Sequence, residues 1–345
     1  MMGVQLVGHG GPEMLVWNEA IAVPAPGSGE VLVKVLAAGV NNTDINTRIG
    51  WYSKDVSGAT SEVDEGVEAG GWAGALPFPL VQGGDLCGRV VKLGFDVSEN
   101  WLGKRVTCPI NQPVSTDENP FGIRVIGSEY DGAFAEYCVV PVDQLYDVTA
   151  SPLSDVEIGA MPCAFGTALG LLKRAGVDAK DRVLITGASG GVGMAAVMLA
   201  KLEGAVVTGV ASEPKADHVR AAGADLVIGR QEMPEAGAYT VVIDLVGGPG
   251  WGALIEALKP GGRYAVAGAI GGPMVEADLR TIYLNDITIF GCTYQSRDVF
   301  AALVDVINSG ALRPLVSKTY PLKNIAEAQE DFQSKRYPGK LVLIP

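Results

Sequence analysis

Residues 187–193 read "GASGGVG", between the apolar run "RVLIT" and the segment "MAAVMLAKLEG". Glycine loses more backbone entropy on ordering than any other residue. Four in seven at a strand-to-helix junction therefore mark a place where the chain turns tightly or is approached closely. Set on the dinucleotide fingerprint, the stretch is Ala188-x-Gly190-x-x-Gly193, with Ala188 where the first glycine usually stands and an additional Gly191. Gly190 would let a pyrophosphate approach the backbone, and Gly193 would let the following helix pack close to its strand. The first N–H groups of that helix, from Ser189 through Gly191 and Val192, would face the anion. An ordinary tight turn would use the same glycines. Strand-like runs continuing for more than a hundred residues favour a bound nucleotide.

Which nucleotide depends on the end of the next apolar run, where an acid would bond a free ribose 2′-hydroxyl. That place reads "GVASEPK", so Ala211 and Ser212 stand where the acid would be. Ser212 can donate to a 2′-phosphate and Lys215 can neutralise it, which points to NADPH over NADH. Glu213 opposes this reading, and Lys215 is otherwise a solvated residue at a helix start. Arg230, after "LVIG", would add a second positive group at the end of the third strand.

The chain around these residues has two textures. Up to about residue 148, short β-branched runs such as "EVLVKVLAAGV", "LCGRVVKL" and "AEYCVVPV" are broken by Gly, Pro and Asn, as in an all-β domain. From Asp181, the runs "DRVLITG", "AVVTGVA", "ADLVIG", "TVVIDLVG", "GGRYAVAG" and "DITIFGC" leave room for helices between them. That is the pattern of a parallel sheet covered on both faces. The last fifty or so residues carry two helix patterns and a short strand, and are expected to return to the first domain. The expected organisation is α/β: a β-rich domain from 1–148 and 294–345, and a doubly wound Rossmann domain from 149–293.

At 345 residues two domains are the natural expectation, and no apolar run is long enough to cross a bilayer. The formal charge of −13, with no basic stripe, argues against a nucleic-acid partner and leaves small-molecule chemistry. The N-terminus lacks a basic start followed by an apolar stretch, so a cytoplasmic location is expected. Five scattered cysteines without a CxxC pair read as reduced thiols. The acidic, small-residue stretch around 53–77 reads as a surface loop, or as a lid in which Trp72 takes part.

The segments "AAGVNNTDINTRIGWY", "FPLVQGGDLCGRVV", "GAFAEYCVVP", "PCAFGTALGLL", the glycine loop and "GKLVLIP" together resemble the medium-chain dehydrogenase/reductase superfamily, nearest to its quinone oxidoreductases. The resemblance implies a GroES-like catalytic domain beside the Rossmann domain. The zinc enzymes of that family carry "GxCxxD" and "GHE" ligand patterns. Here the same places read "GVNNTD" and "GGD", so Asn41 and Gly84 replace two ligands and only Cys163 keeps a thiol. One ligand cannot hold a catalytic zinc, and no metal is expected. A metal-free hydride enzyme then suits quinones or α,β-unsaturated carbonyls, whose developing enolate charge hydrogen bonds can stabilise.

By the same resemblance, Asn41 and Tyr52 stand beside the nicotinamide, Asn41 orienting ring or substrate and Tyr52 donating to its oxygen. The plainer alternatives are that Asn41 bonds a turn, that Asp44 caps the next segment and that Tyr52 lines a wall. Cys163 has no histidine near it in sequence and reads as a buried spacer. Thr167 in "FGTA" would touch the nicotinamide or its ribose, and Val246 and Gly268 would line the nicotinamide end. Lys335 would meet the adenosine phosphate, or form a solvated pair with Arg336. The run "DITIFGCTY" closes the nucleotide sheet as an edge strand, and pairing with its copy makes a homodimer the expected state.

Overall fold

The computed structural model describes residues 1–53, 58 and 75–345; the proposed lid residue Trp72 lies outside them. Residues 1–53, 75–166 and 294–345 form one compact unit, and 167–293 form the other. The first boundary falls at 166/167 rather than at the expected 148/149. The reason is local: the short helix Asp155–Gly159 packs on the strands Glu30–Gly39 and Cys87–Leu93, and the Cys163 N–H donates to Asp85.

In the first unit a seven-stranded sheet is organised around the strand Glu30–Gly39, which pairs antiparallel with Cys87–Leu93, Tyr137–Pro141 and Lys340–Ile344. Val31, Val33 and Val35 alternate inward with period two and join Val90, Val106, Cys138 and Leu343 in one core. The C-terminal strand thereby fills a place beside a strand some 300 positions earlier. The helix Arg297–Ser309 shows how sequence spacing sets this packing. Phe300, Leu303, Val304 and Ile307 fall on one face and are buried, Ser296 caps the start by accepting from Val299 N–H, and Gly310 ends the helix at φ 66°.

The second unit is a six-stranded parallel sheet. Its strands, in chain order, are Arg182–Ile185, Val206–Val210, Leu226–Ile228, Tyr239–Asp244, Leu258–Val266 and Thr288–Gly291. Their spatial order is third, second, first, fourth, fifth, sixth. This is the doubly wound arrangement, in which ligands bind beyond the carboxyl ends of the first and fourth strands, where the winding reverses. The continuous Val, Ile and Leu runs are explained by burial: Val183, Leu184, Ile185, Val241, Val242 and Ile243 are wholly enclosed.

Candidate functional site

At the carboxyl end of the first parallel strand the glycine loop turns and enters the helix Gly191–Leu202. Gly187 takes φ 58°, and the Gly190 N–H donates to its carbonyl at 3.0 Å. A Cβ on Gly193 would fall 2.2 Å from the Gly187 oxygen and 2.6 Å from the Ala188 Cα, so nothing larger than glycine fits there. Ala188 is the departure from the usual pattern, and the neighbouring strand accommodates it. A Cβ on Gly209 would stand 3.0 Å from the Ala188 Cβ, and the bare glycine leaves that space to the alanine. Gly190 is exposed at the N-cap with no side chain capping the helix. The first N–H groups of a 12-residue helix, which have no intrahelical acceptor, therefore remain for an anion.

The second parallel strand ends at Val210, and Ala211 and Ser212 follow without an acid. Lys215, in the short turn beginning at Glu213, has its ammonium pKa lowered, first by burial and then by the Arg230 charge. The two cations thus repel one another at the ends of the second and third strands, and an anion beside both would offset that repulsion. At the fourth strand's end, Val246 sits in the Leu245–Gly247 turn. Its carbonyl accepts from Gly271 N–H at 2.8 Å, while a Cβ on Gly268 would fall 2.8 Å from the Leu245 oxygen. The expected nicotinamide-side residues are thus neighbours within one unit. Thr167 opens that unit's share of the helix Pro162–Ala175 and is half-buried.

Lys335 belongs to the first unit. It lies beyond the helix Ile325–Gln333, takes φ 54°, and places its ammonium 4.4 Å from the Phe332 ring centre. It does not share a unit with Ser212, Lys215 and Arg230.

Asn41 lies in a closed buried network that the sequence did not announce. It is the N-cap of the helix Asn42–Arg48, and its own N–H donates to the Asp44 carboxyl at 2.8 Å. Its side-chain Nδ2 donates to Asp85 at 2.9 Å, and its Oδ1 accepts from the Lys340 ammonium at 2.5 Å. Lys340 also donates to Asp85 at 2.9 Å and to the Val40 carbonyl at 3.1 Å. The other Asp85 oxygen accepts from Cys163 N–H at 2.6 Å. Both ends of the Asn41 amide are therefore bonded within the protein. Asp44 caps the start of the helix by accepting the Asn41 N–H. Asp44 has its pKa pushed up to about 7, chiefly by burial and further by the Asp85 charge; the Asn41 N–H and Lys340 act in the opposite direction. Tyr52 follows this helix, half-buried, with its ring edge-on to Trp51 at 5.6 Å.

Sequence reasoning missed Asp85 and Lys340 as site residues. Both lie inside the quoted motifs "GGD" and "GKLVLIP", but they are 255 positions apart and no local pattern joins them.

The places that hold a catalytic zinc in related enzymes do not suit a metal here. Asn41 offers an oxygen that already accepts from an ammonium, a cation that would repel a second one. Gly84 offers no side chain, and Ile110 fills the space, since a Cβ at Gly84 would fall 2.1 Å from the Ile110 Cδ1. Cys163 alone cannot complete a tetrahedral set.

Two family models match the chain: the alcohol dehydrogenase GroES-like domain over residues 27–150 and the zinc-binding dehydrogenase over residues 191–309. Among curated relatives, the acryloyl-coenzyme A reductase of Metallosphaera sedula is 31% identical over 93% of both chains. The NAD-dependent alcohol dehydrogenase of Sulfurisphaera tokodaii is 27% identical over the whole of both. The quinone oxidoreductase of Mus musculus is 28% identical over all of this chain and 98% of its own. Proteins named for three different activities thus align almost end to end with this one. Overall alignment accordingly carries the class of chemistry, and the substrate must be argued from the site.

Proposed function

Because this chain belongs to the medium-chain dehydrogenase/reductase superfamily, and so is an oxidoreductase that uses a pyridine nucleotide, we propose that it is a zinc-independent, NADPH-dependent reductase of quinones or α,β-unsaturated carbonyl compounds. The observation that supports the reading is the Asn41 amide, which stands at a ligand place of the zinc enzymes but is bonded to Asp85 and Lys340, beside a Gly84 that offers no side chain. Bound NADPH supplies a hydride.

Conjugate addition needs no Lewis acid of zinc's strength. Hydride addition at the β-carbon would move the carbon–carbon π pair toward the carbonyl, and the enolate oxygen would carry the charge until a proton from water completed the product. We assign to the Tyr52 hydroxyl the donation to that oxygen. Asn41 is a positioning residue: with Asp44 it fixes the start of the helix Asn42–Arg48, from whose far end Tyr52 is presented. Ser212, Lys215 and Arg230 favour the 2′-phosphate, the glycine loop holds the diphosphate, and Thr167, Val246 and Gly268 line the nicotinamide end. Lys335 is not needed for this assignment.

A second copy is the proposed partner. The strand Thr288–Gly291 is an edge of the parallel sheet. Ile289 on it is exposed, as are Met274, Leu279, Tyr283 and Leu284 in the chain leading to it. An edge strand among exposed apolar side chains is relieved by pairing with its own copy across a twofold axis. Among the described residues no helix is long and apolar enough to cross a membrane. A small soluble carbonyl compound or quinone met in the cytoplasm is the proposed substrate.

The test is NADPH oxidation against a panel of quinones, enals and enones, with NADH in parallel and a chelator in half the samples. Turnover with NADPH that the chelator leaves unchanged is expected. If only an alcohol is oxidised, and only after zinc is added, the proposal fails.

A further inference from the structure

We propose that Thr186, Asp244 and Tyr264 form a positioning centre that locks the two loops facing the nucleotide into one arrangement. The inference rests on the pyridine nucleotide binding at the carboxyl ends of the first and fourth parallel strands. Asp244 ends the fourth strand, and its side chain is wholly buried. Among the described residues no basic side chain bonds it, and neutral donors surround it instead. Its Oδ1 accepts from the Thr186 hydroxyl at 2.6 Å and from Val246 N–H at 2.9 Å. Gly247 N–H is shared between both oxygens at 3.2 Å, and Oδ2 accepts from the Tyr264 hydroxyl at 2.5 Å. The Thr186 oxygen in turn accepts from Leu245 N–H at 2.8 Å.

The consequence lies in what these donors are attached to. Thr186 directly precedes Gly187, the left-handed first turn of the glycine loop. Leu245, Val246 and Gly247 form the turn that touches the Gly268–Gly271 segment. A single carboxyl therefore joins the loop at the diphosphate to the turn at the nicotinamide end. A Cβ on Gly187 would stand 3.3 Å from the Val246 Cγ2, so the two loops are in direct contact and a shift in one displaces the other.

Tyr264 acts at one remove. It stands on the fifth strand, its ring edge-on to Trp251 at 6.0 Å, and its phenol fixes the rotation of the Asp244 carboxyl. Without that donor, Oδ2 keeps only its share of the Gly247 N–H, and the carboxyl can turn away from the loops. Burial, and next the Asp244 charge, push the Tyr264 phenol well above its ordinary pKa, so it remains a donor at any pH the protein would work at. Tyr264 lies 20 positions beyond Asp244, and the pairing of the fourth and fifth strands brings the two together.

The experiment uses the full chain and reads nucleotide affinity by titration calorimetry, well below each variant's melting temperature. Melting temperature and hydrogen exchange of the 244–248 segment are measured on the same samples. Tyr264→Phe and Thr186→Val should each raise the NADPH Kd about tenfold, the loss expected for one buried hydrogen bond that shapes a site. Exchange at Val246 and Gly247 should quicken in both. Thr186→Ser keeps the hydroxyl and should recover most of the affinity lost in Thr186→Val. The double variant should fall short of a hundredfold loss, because both changes act through one carboxyl. A Tyr264→Phe protein that melts lower yet binds within twofold of the unaltered chain, with unchanged exchange, would show a purely structural bond and overturn the inference. If the unaltered chain binds neither NADPH nor NADH, the cofactor reading falls and this inference falls with it.

Discussion

Replacing Lys340 by methionine tests whether the Asn41–Asp85–Lys340 network is what holds this part of the first unit. The lysine is 3% exposed on its side chain and its partner Asp85 is fully enclosed. Methionine keeps most of the length and the apolar packing while removing the ammonium and three donated hydrogen bonds, to Val40, Asn41 and Asp85. What remains is a buried carboxylate with two neutral donors, the Asn41 amide and the Cys163 N–H, and no counter-charge. Removing one partner of a buried pair costs about 3–5 kcal/mol, most of it the isolated charge that stays behind. At about 2.1 cal/mol/K of unfolding entropy per residue, about 4 kcal/mol lowers the melting temperature by roughly 6–10 °C, depending on whether the two units melt together or apart. Differential scanning calorimetry reads the shift directly. The double variant Asp85→Asn/Lys340→Met removes the stranded charge and should recover about half of the loss. A Lys340→Met protein melting within a degree of the unaltered chain, or a double variant no better than the single one, would refute the view that this pair anchors the site.

Asp44 gives a pH prediction. Its folded pKa near 7 stands above the ordinary 3.8, so the folded state keeps a proton that the unfolded state has released. Its contribution to stability is therefore complete below about pH 4 and lost as pH rises through 7, a span of about 4 kcal/mol at about 1.36 kcal/mol per pKa unit. Urea unfolding between pH 4 and 8 should show this fall, levelling off above about pH 7, and Asp44→Asn should flatten it; an equal slope in the variant would contradict the assignment. At the adenosine end, Lys215→Ala should reduce kcat/KM for NADPH about tenfold, and Ser212→Asp about a hundredfold through like-charge repulsion of the 2′-phosphate. Values for NADH should change little, and equal losses with both nucleotides would remove these residues from phosphate recognition. Ile289→Lys places two like charges across the proposed twofold and should weaken self-association about a hundredfold in sedimentation equilibrium, whereas an unshifted dimer would move the interface elsewhere.

Much of the fold was legible because its signals are local. The Phe300–Leu303–Val304–Ile307 stripe, capped by Ser296 and stopped by Gly310, needs only one helix to be read. The apolar runs of the second unit announce a parallel sheet because each strand is covered on both faces. The expected boundary near residue 148 rests on the same local texture. The texture changes where strands stop, but the short helix at Asp155–Gly159 and the bond from Cys163 to Asp85 keep the next eighteen or so residues with the first unit, and neither contact has a periodic trace.

The site divides along the same line. The glycine loop could be read because each of its requirements falls within seven residues, whereas Lys340 and Asp85 meet only after the last strand has paired beside Glu30–Gly39. Ala188 falls between these cases. As sequence it is a defect in the fingerprint, a methyl group where close approach usually demands glycine. In the folded sheet the space is provided from the adjacent strand by Gly209, whose own sequence context, "VTGVA", gives no hint of a ligand. The requirement for a missing side chain is met by the pair rather than by either position. Asn41 obeys the same logic: its amide became intelligible only once the lysine that bonds it, some 300 residues later, was in place. A motif read along the chain specifies what the backbone must do, while which side chains are free to meet a ligand is settled by partners that arrive from elsewhere in the fold.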